Sequence, residues 1–267
     1  MPDTPKPGLP KMHKVTPAML AEALRRAWRD MRRAPLFGLL FAAAYVVIGW
    51  VLAWITYATG QSYWLIFAAV SFPLIGPFAA VGLYDVSRRI EQGRALDLVP
   101  ILTVVLRQSR RQLPSICAII LFLFLFWFFL GHMIFALFMG LSVMTNVSSS
   151  YDVFLTVNGL SMLAVGSVVG AGFALLLYMI TVISLPLLLD REVDFVTAMI
   201  VSFTTVTTNP VPMLAWGVFI AVVTFVGMLP GFVGLFVTLP LLGHATWHLY
   251  DQIAGDEPDG PAFQGNG

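Results

Sequence analysis

Charged side chains make up only 11% of this chain, where a soluble domain carries about a quarter. Hydrophobic residues reach 58% and the mean hydropathy is +0.86. That leaves too little polar surface to cover a 29.3 kDa protein in water, so lipid must be its solvent. Cysteine is nearly missing too: Cys117 stands alone inside an apolar run, so no internal disulfide can form. HExxH, GxSxG, Walker and CxxC motifs and paired carboxylates are absent, which removes any visible foothold for catalysis. No Asp, Glu, Lys or Arg falls in the middle of a long apolar run, where ion-coupled carriers and proton relays need one. Enzymatic activity, a cofactor and a nucleic-acid partner are therefore not expected.

Basic residues are missing from every second connection between the apolar runs. All 15 lysines and arginines lie in the head, between the second and third runs, or at Arg191 after the fourth. Lys and Arg stay on the cytoplasmic side during insertion, so this pattern predicts a bacterial-type inner membrane protein with both termini cytoplasmic. The first apolar run starts only at Leu36, behind an arginine-rich segment, so a cleavable signal peptide is not expected.

A helix that crosses hydrocarbon needs about 20 apolar residues. Six runs qualify, at about 36–57, 63–84, 114–139, 159–189, 212–229 and 231–250. They predict an all-α membrane domain over 16–252, built as three transmembrane hairpins, with disordered tails at 1–15 and 253–267. The first hairpin turns at 58–61 and the second through the polar stretch 145–150. The last two runs are nearly continuous, and only Leu229-Pro230-Gly231 can turn them. A single helix over 212–250 would reach nearly 60 Å, about twice the hydrocarbon thickness, so two short spans are expected.

An amphipathic segment precedes each hairpin. These segments begin at Thr16, Asp97 and Asp194, whose side-chain oxygens suit helix N-caps, and end near Pro35, Pro114 and Pro210. A helix of about 16 residues reaches only about 24 Å, so each is expected to lie along the cytoplasmic surface rather than cross. The third is uncharged and threonine-rich, and is expected to be the most buried. In the first, Met19, Leu20, Ala23, Leu24, Ala27, Trp28 and Met31 form the apolar stripe. Arg25, Arg26, Arg29, Arg32 and Arg33 oppose it and are candidates for anionic headgroup contacts. Arg88, Arg89, Arg110 and Arg111, before the third span, join that set. Membrane lipids are thus the expected partners, alongside another membrane protein or a second copy of the chain.

Two further features invite a functional reading. His244 and His248 lie four residues apart, hence on one helical face, a spacing that can ligate a metal. No third ligand is evident, and Trp247 beside them suits a membrane interface, so hydrated structural histidines are expected. The chain also lacks the set of mid-membrane histidines that haem–copper chemistry demands. Gly166 and Gly170 form a GxxxG that permits close helix packing. Asp85, Asp190 and Asp251 each close a span, and Arg88, Arg89 and Arg191 are their expected ion-pair partners.

The stretch FPLIGPFAAVGLYDVSRRIEQG at 72–93, with GHATWHLY at 243–250, resembles the predicted integral membrane proteins of domain-of-unknown-function family 2189. The likeness is expected to cover 12–252. It implies a six-span inner-membrane protein and supplies no activity, ligand or catalytic residue. The functional expectation is a non-enzymatic protein that acts through lipid or membrane-protein contacts. The alternative is a passive or weakly selective transporter of a small neutral or amphiphilic solute.

Overall fold

The computed structural model describes residues 5–60, 64–140 and 154–258. The turn expected at 145–150 lies outside them. The chain is helical almost throughout: α1 is Pro17–Arg33, α2 Pro35–Thr59, α3 Trp64–Glu91, α4 Leu98–Gln108, α5 Leu113–Met139, α6 Val157–Thr181 and α7 Ser184–Asp190. After these come α8 Phe195–Thr208, α9 Pro210–Met228 and α10 Leu235–Ile253. Among the described residues four short strands frame them: β1 Lys6–Pro7, β2 Pro10–Met12, β3 Arg191–Glu192 and β4 Ala254–Pro258. Four helices among the described residues are long and apolar enough to cross a membrane: Pro35–Thr59, Leu113–Met139, Val157–Asp190 taken as one, and Pro210–Met228. The protein is an all-α membrane protein.

Local chemistry explains the boundaries. Thr16 Oγ1 accepts from the Met19 amide and Asp194 Oδ1 from the Thr197 amide, which caps α1 and α8 as their sequences suggest. Asp97 stands at the N-cap of α4 but makes no capping hydrogen bond. Pro35, Pro114 and Pro210 occupy first-turn positions of α2, α5 and α9, where a missing N–H costs nothing. The expected span at 159–189 is not one helix. Pro186 cannot donate to Val182, and the helix breaks at Val182-Ile183 between α6 and α7. Ser202 of α8 fills the break: its hydroxyl accepts from the Ile183 amide at 3.1 Å and donates to the Met179 carbonyl at 2.7 Å. The last apolar stretch does turn near Pro230, with Gly231 and Phe232 at φ 62° and 68°. The Trp50 indole donates to the Gly231 carbonyl there, at 2.7 Å.

The tightly packed region sits at one end of the bundle. It joins the C-terminal ends of α3, α6 and α10 to the beginnings of α5 and α9, with α7, α8 and the Ala23–Ala27 face of α1. Leu113, Ile183, Leu187, Met213, Trp216 and Tyr250 are nearly fully enclosed in it. Toward the other end α5, α6 and α9 present Phe122, Phe129, Val168, Val218 and Phe225 outward, as lipid-facing helices do. The tails also differ from expectation. Residues 6–15 and 253–258 are not disordered: β1 pairs in parallel with β3, and β2 pairs antiparallel with β4. The His13 amide then donates to the Ile253 carbonyl, and the Val15 amide to Asn209 Oδ1. Of α1, α4 and α8, α8 is the most buried, as its composition suggested, through Ala198, Ser202, Thr205 and Val206, although Ile200 and Phe203 are exposed.

Candidate functional site

Polar side chains converge where α1, the end of α3 and the end of α10 meet. In α1, Ala23, Ala27 and Asp30 share a face at helical spacing, and all three are fully buried against the bundle. The two alanines let α1 approach α10 closely, so the Asp30 carboxylate reaches His248 Nε2 at 2.7 Å. The other ring nitrogen, Nδ1, lies 2.9 Å from Glu91 Oε1. Glu91 Oε2 accepts from the Trp247 indole at 2.9 Å. One helical turn earlier, His244 Nδ1 meets the Ser87 hydroxyl at 2.7 Å. Burial alone pushes the Asp30 carboxyl up, yet the hydrogen bond and charge of His248 outweigh it and hold the group below its ordinary range.

This network corrects the expected role of the histidines. His244, Trp247 and His248 are not hydrated interfacial groups; they are buried between three helices. Among the described residues, no three or more His, Cys, Asp or Glu side chains are grouped to hold a metal ion. Asp30 and Glu91 are the partners that the sequence reading passed over. Asp30 had a signal, because an acid at the Ala23–Ala27–Asp30 spacing falls on the buried face. Glu91 had none, because α3 runs seven residues past the expected span end at 84 before it stops.

Beside the network lies a cavity of about 570 Å³, walled by α1, the end of α3, the α7–β3 junction, the end of α10 and β1. Lys6, Arg26, Arg29, Arg33, Arg88 and Arg191 line it, against the carboxylates Glu91, Asp190 and Asp251. Arg191 is buried and bonds to Asp190 at 3.0 Å and to the Gly255 carbonyl at 3.2 Å. Asp190 also accepts from the Tyr250 hydroxyl. Arg26 joins Glu22 at 2.8 Å and comes within 3.8 Å of Glu91 and 4.0 Å of Asp251. Hydrogen bonds from Arg25 and then Arg26 lower the Glu22 carboxyl to about 2.

The nine arginines expected at headgroups thus divide. Arg25, Arg29, Arg32 and Arg33 are exposed and, with Trp28, line a shallow outer depression. Arg26 turns inward, Arg110 is exposed, and Arg111 reaches Glu192 at 3.5 Å. Arg88 and Arg89 are buried and do not lie on the outer surface with the α1 arginines. Arg89 is held by Asp85 of the same helix at 2.6 Å, while Arg88 lines the cavity. The GxxxG also divides. A Cβ added at Gly170 would meet the Trp127 indole, but one at Gly166 meets nothing within 4 Å. Gly166 therefore takes no part in close packing among the described residues.

No curated protein and no solved structure matches the chain. The family match is shorter than the expected 12–252, and the stretch 243–250 lies outside it. Residues 65–190, which contain most of the α3 side of the site, match the family model described as predicted integral membrane protein (DUF2189).

Proposed function

We propose that the chain is a six-span protein of a bacterial-type inner membrane, with both termini cytoplasmic, that acts through lipid and membrane-protein contacts and not through catalysis. The spans are α2, α3, α5, α6 with α7, α9 and α10, and the basic ends form the cytoplasmic face. Pairing of β2 with β4 supports this reading, because it keeps the two ends of the described chain on one side. Concentration of the ionic groups at one end of an otherwise apolar bundle favours it over a passive carrier.

The lipid reading is carried by the outer face of α1. Arg25 keeps 71% of its side chain exposed and Trp28 is 49% exposed beside Arg29, Arg32 and Arg33. The opposite face is clamped to α10, so this surface stays fixed to the bundle. Each basic group near an anionic leaflet contributes about 1 kcal/mol. Reporter fusions after Gly60, after Ser149 and at Gly267 should read outside, outside and inside. A cytoplasmic signal at Ser149 would rule out six spans. Phosphatidylglycerol retained through mild detergent purification should fall several-fold when Arg25, Arg26 and Arg29 become alanine. Unchanged retention with intact topology would leave these arginines only a role in insertion.

A further inference from the structure

We infer that the basic cavity is a binding site for a phosphate group. Its volume of about 570 Å³ falls within the roughly 300–1,000 Å³ range of small-molecule pockets. Its three carboxylates are already engaged or in reach of a cation: Glu91 by His248 and Trp247, Asp190 by Arg191 and Tyr250, and Asp251 near Arg26. Two of the cations, Arg88 and Arg29, are less well matched. Arg88 is only 9% exposed, and its one hydrogen bond among the described residues runs to the Leu189 carbonyl at 3.4 Å. No carboxylate lies within 4 Å of its guanidinium there, although a buried charge is costly unless compensated. Among the described residues Arg29 reaches a carboxylate only at Asp30 Oδ1, 3.8 Å away and too far for a hydrogen bond, while Oδ2 of that group bonds to His248.

A phosphate group, with its negative charge and several acceptor oxygens, meets this demand. Guanidinium groups present paired N–H donors that match phosphate oxygens, and several of them around one cavity can share a single phosphate. Arg29 and Arg33 line both the cavity and the outer depression on α1, so the two adjoin at the surface. The phosphate can therefore belong to the headgroup of an anionic lipid, a source that rests on the lipid reading above, or to a soluble phosphate ester.

The experiment uses the full chain in neutral detergent, with inorganic phosphate replacing chloride at constant ionic strength. Phosphate should raise the thermal unfolding midpoint in a saturable way. Arg88→Gln, which can still donate to Leu189, should lose the rise. Arg33→Gln, an exposed position, should weaken it even if Arg88→Gln does not fold. Lys11→Gln, outside the cavity, should keep it. In nanodiscs, a rise seen with phosphatidylcholine but lost with phosphatidylglycerol identifies the headgroup as occupant. A rise in both identifies a soluble ester. The detergent arm needs no membrane, so its outcome is independent of the lipid reading. No saturable rise there, or equal rises in Arg33→Gln and Lys11→Gln, would overturn the site.

Discussion

Asp30 and His248 join the first long helix to the last through two fully buried side chains. Removing one partner of such a pair leaves the other charge uncompensated, at a cost of about 3–5 kcal/mol. His248→Ala should lower stability by that order in denaturant melts of the detergent-solubilised protein. Asp30→Asn keeps the shape and should cost less. A loss below about 1 kcal/mol for His248→Ala would show that the pair does not hold α1 in place. The Asp30 carboxyl also has a pH consequence. Its folded value is depressed, so its contribution is complete above the unfolded value near 3.9 and is lost as pH falls through the folded one. The unfolding midpoint should therefore drop below about pH 4, and Asp30→Asn should remove part of that drop. An unchanged acid limb in the variant would refute the linkage.

Close helix contact in this protein depends also on glycines outside the GxxxG. A Cβ at Gly82 of α3 would collide with the Phe41 ring of α2, and one at Gly243 of α10 would lie 2.6 Å from Leu83. Overpacking of this kind costs about 1–3 kcal/mol. Gly82→Ala should destabilise the protein by that amount, while Gly166→Ala should be neutral within about 0.5 kcal/mol. Comparable losses at both positions would contradict the packing. The α6–α7 break makes a second demand on an element. Ser202→Ala leaves the buried Ile183 amide without its acceptor, at a cost of about 1–3 kcal/mol. Thermal melts of Ser202→Ala beside Ser202→Thr, which keeps a hydroxyl, would separate loss of the bond from a change in packing.

At the scale of the molecule, the first and last described segments close over the same end of the bundle. Met12 and Ala254 are register partners in the β2–β4 pair, and paired antiparallel residues have Cα atoms about 4.5–5.5 Å apart. That separation suits a disulfide. With Cys117 replaced by serine, Met12→Cys combined with Ala254→Cys should cross-link on oxidation, read as a mobility shift that reductant reverses. Failure to cross-link would place the termini apart and remove the main support for ends on one side.

Composition and charge distribution determined the class of this protein from the sequence alone, because hydropathy and helix length act locally and need no partner. The caps at Thr16 and Asp194, the first-turn prolines and the turn near Pro230 were legible for the same reason. The direction each polar side chain faces was not. Arg88 and Arg89 follow a span just as an exposed basic girdle would, yet they are buried because α3 continues to Glu91. His244 and His248 carry the spacing of a ligand pair, but helices remote in sequence supply Asp30, Ser87 and Glu91 as their partners. Only tertiary packing decides which charges meet, because an ion pair depends on distances between helices and a sequence records only distances along one.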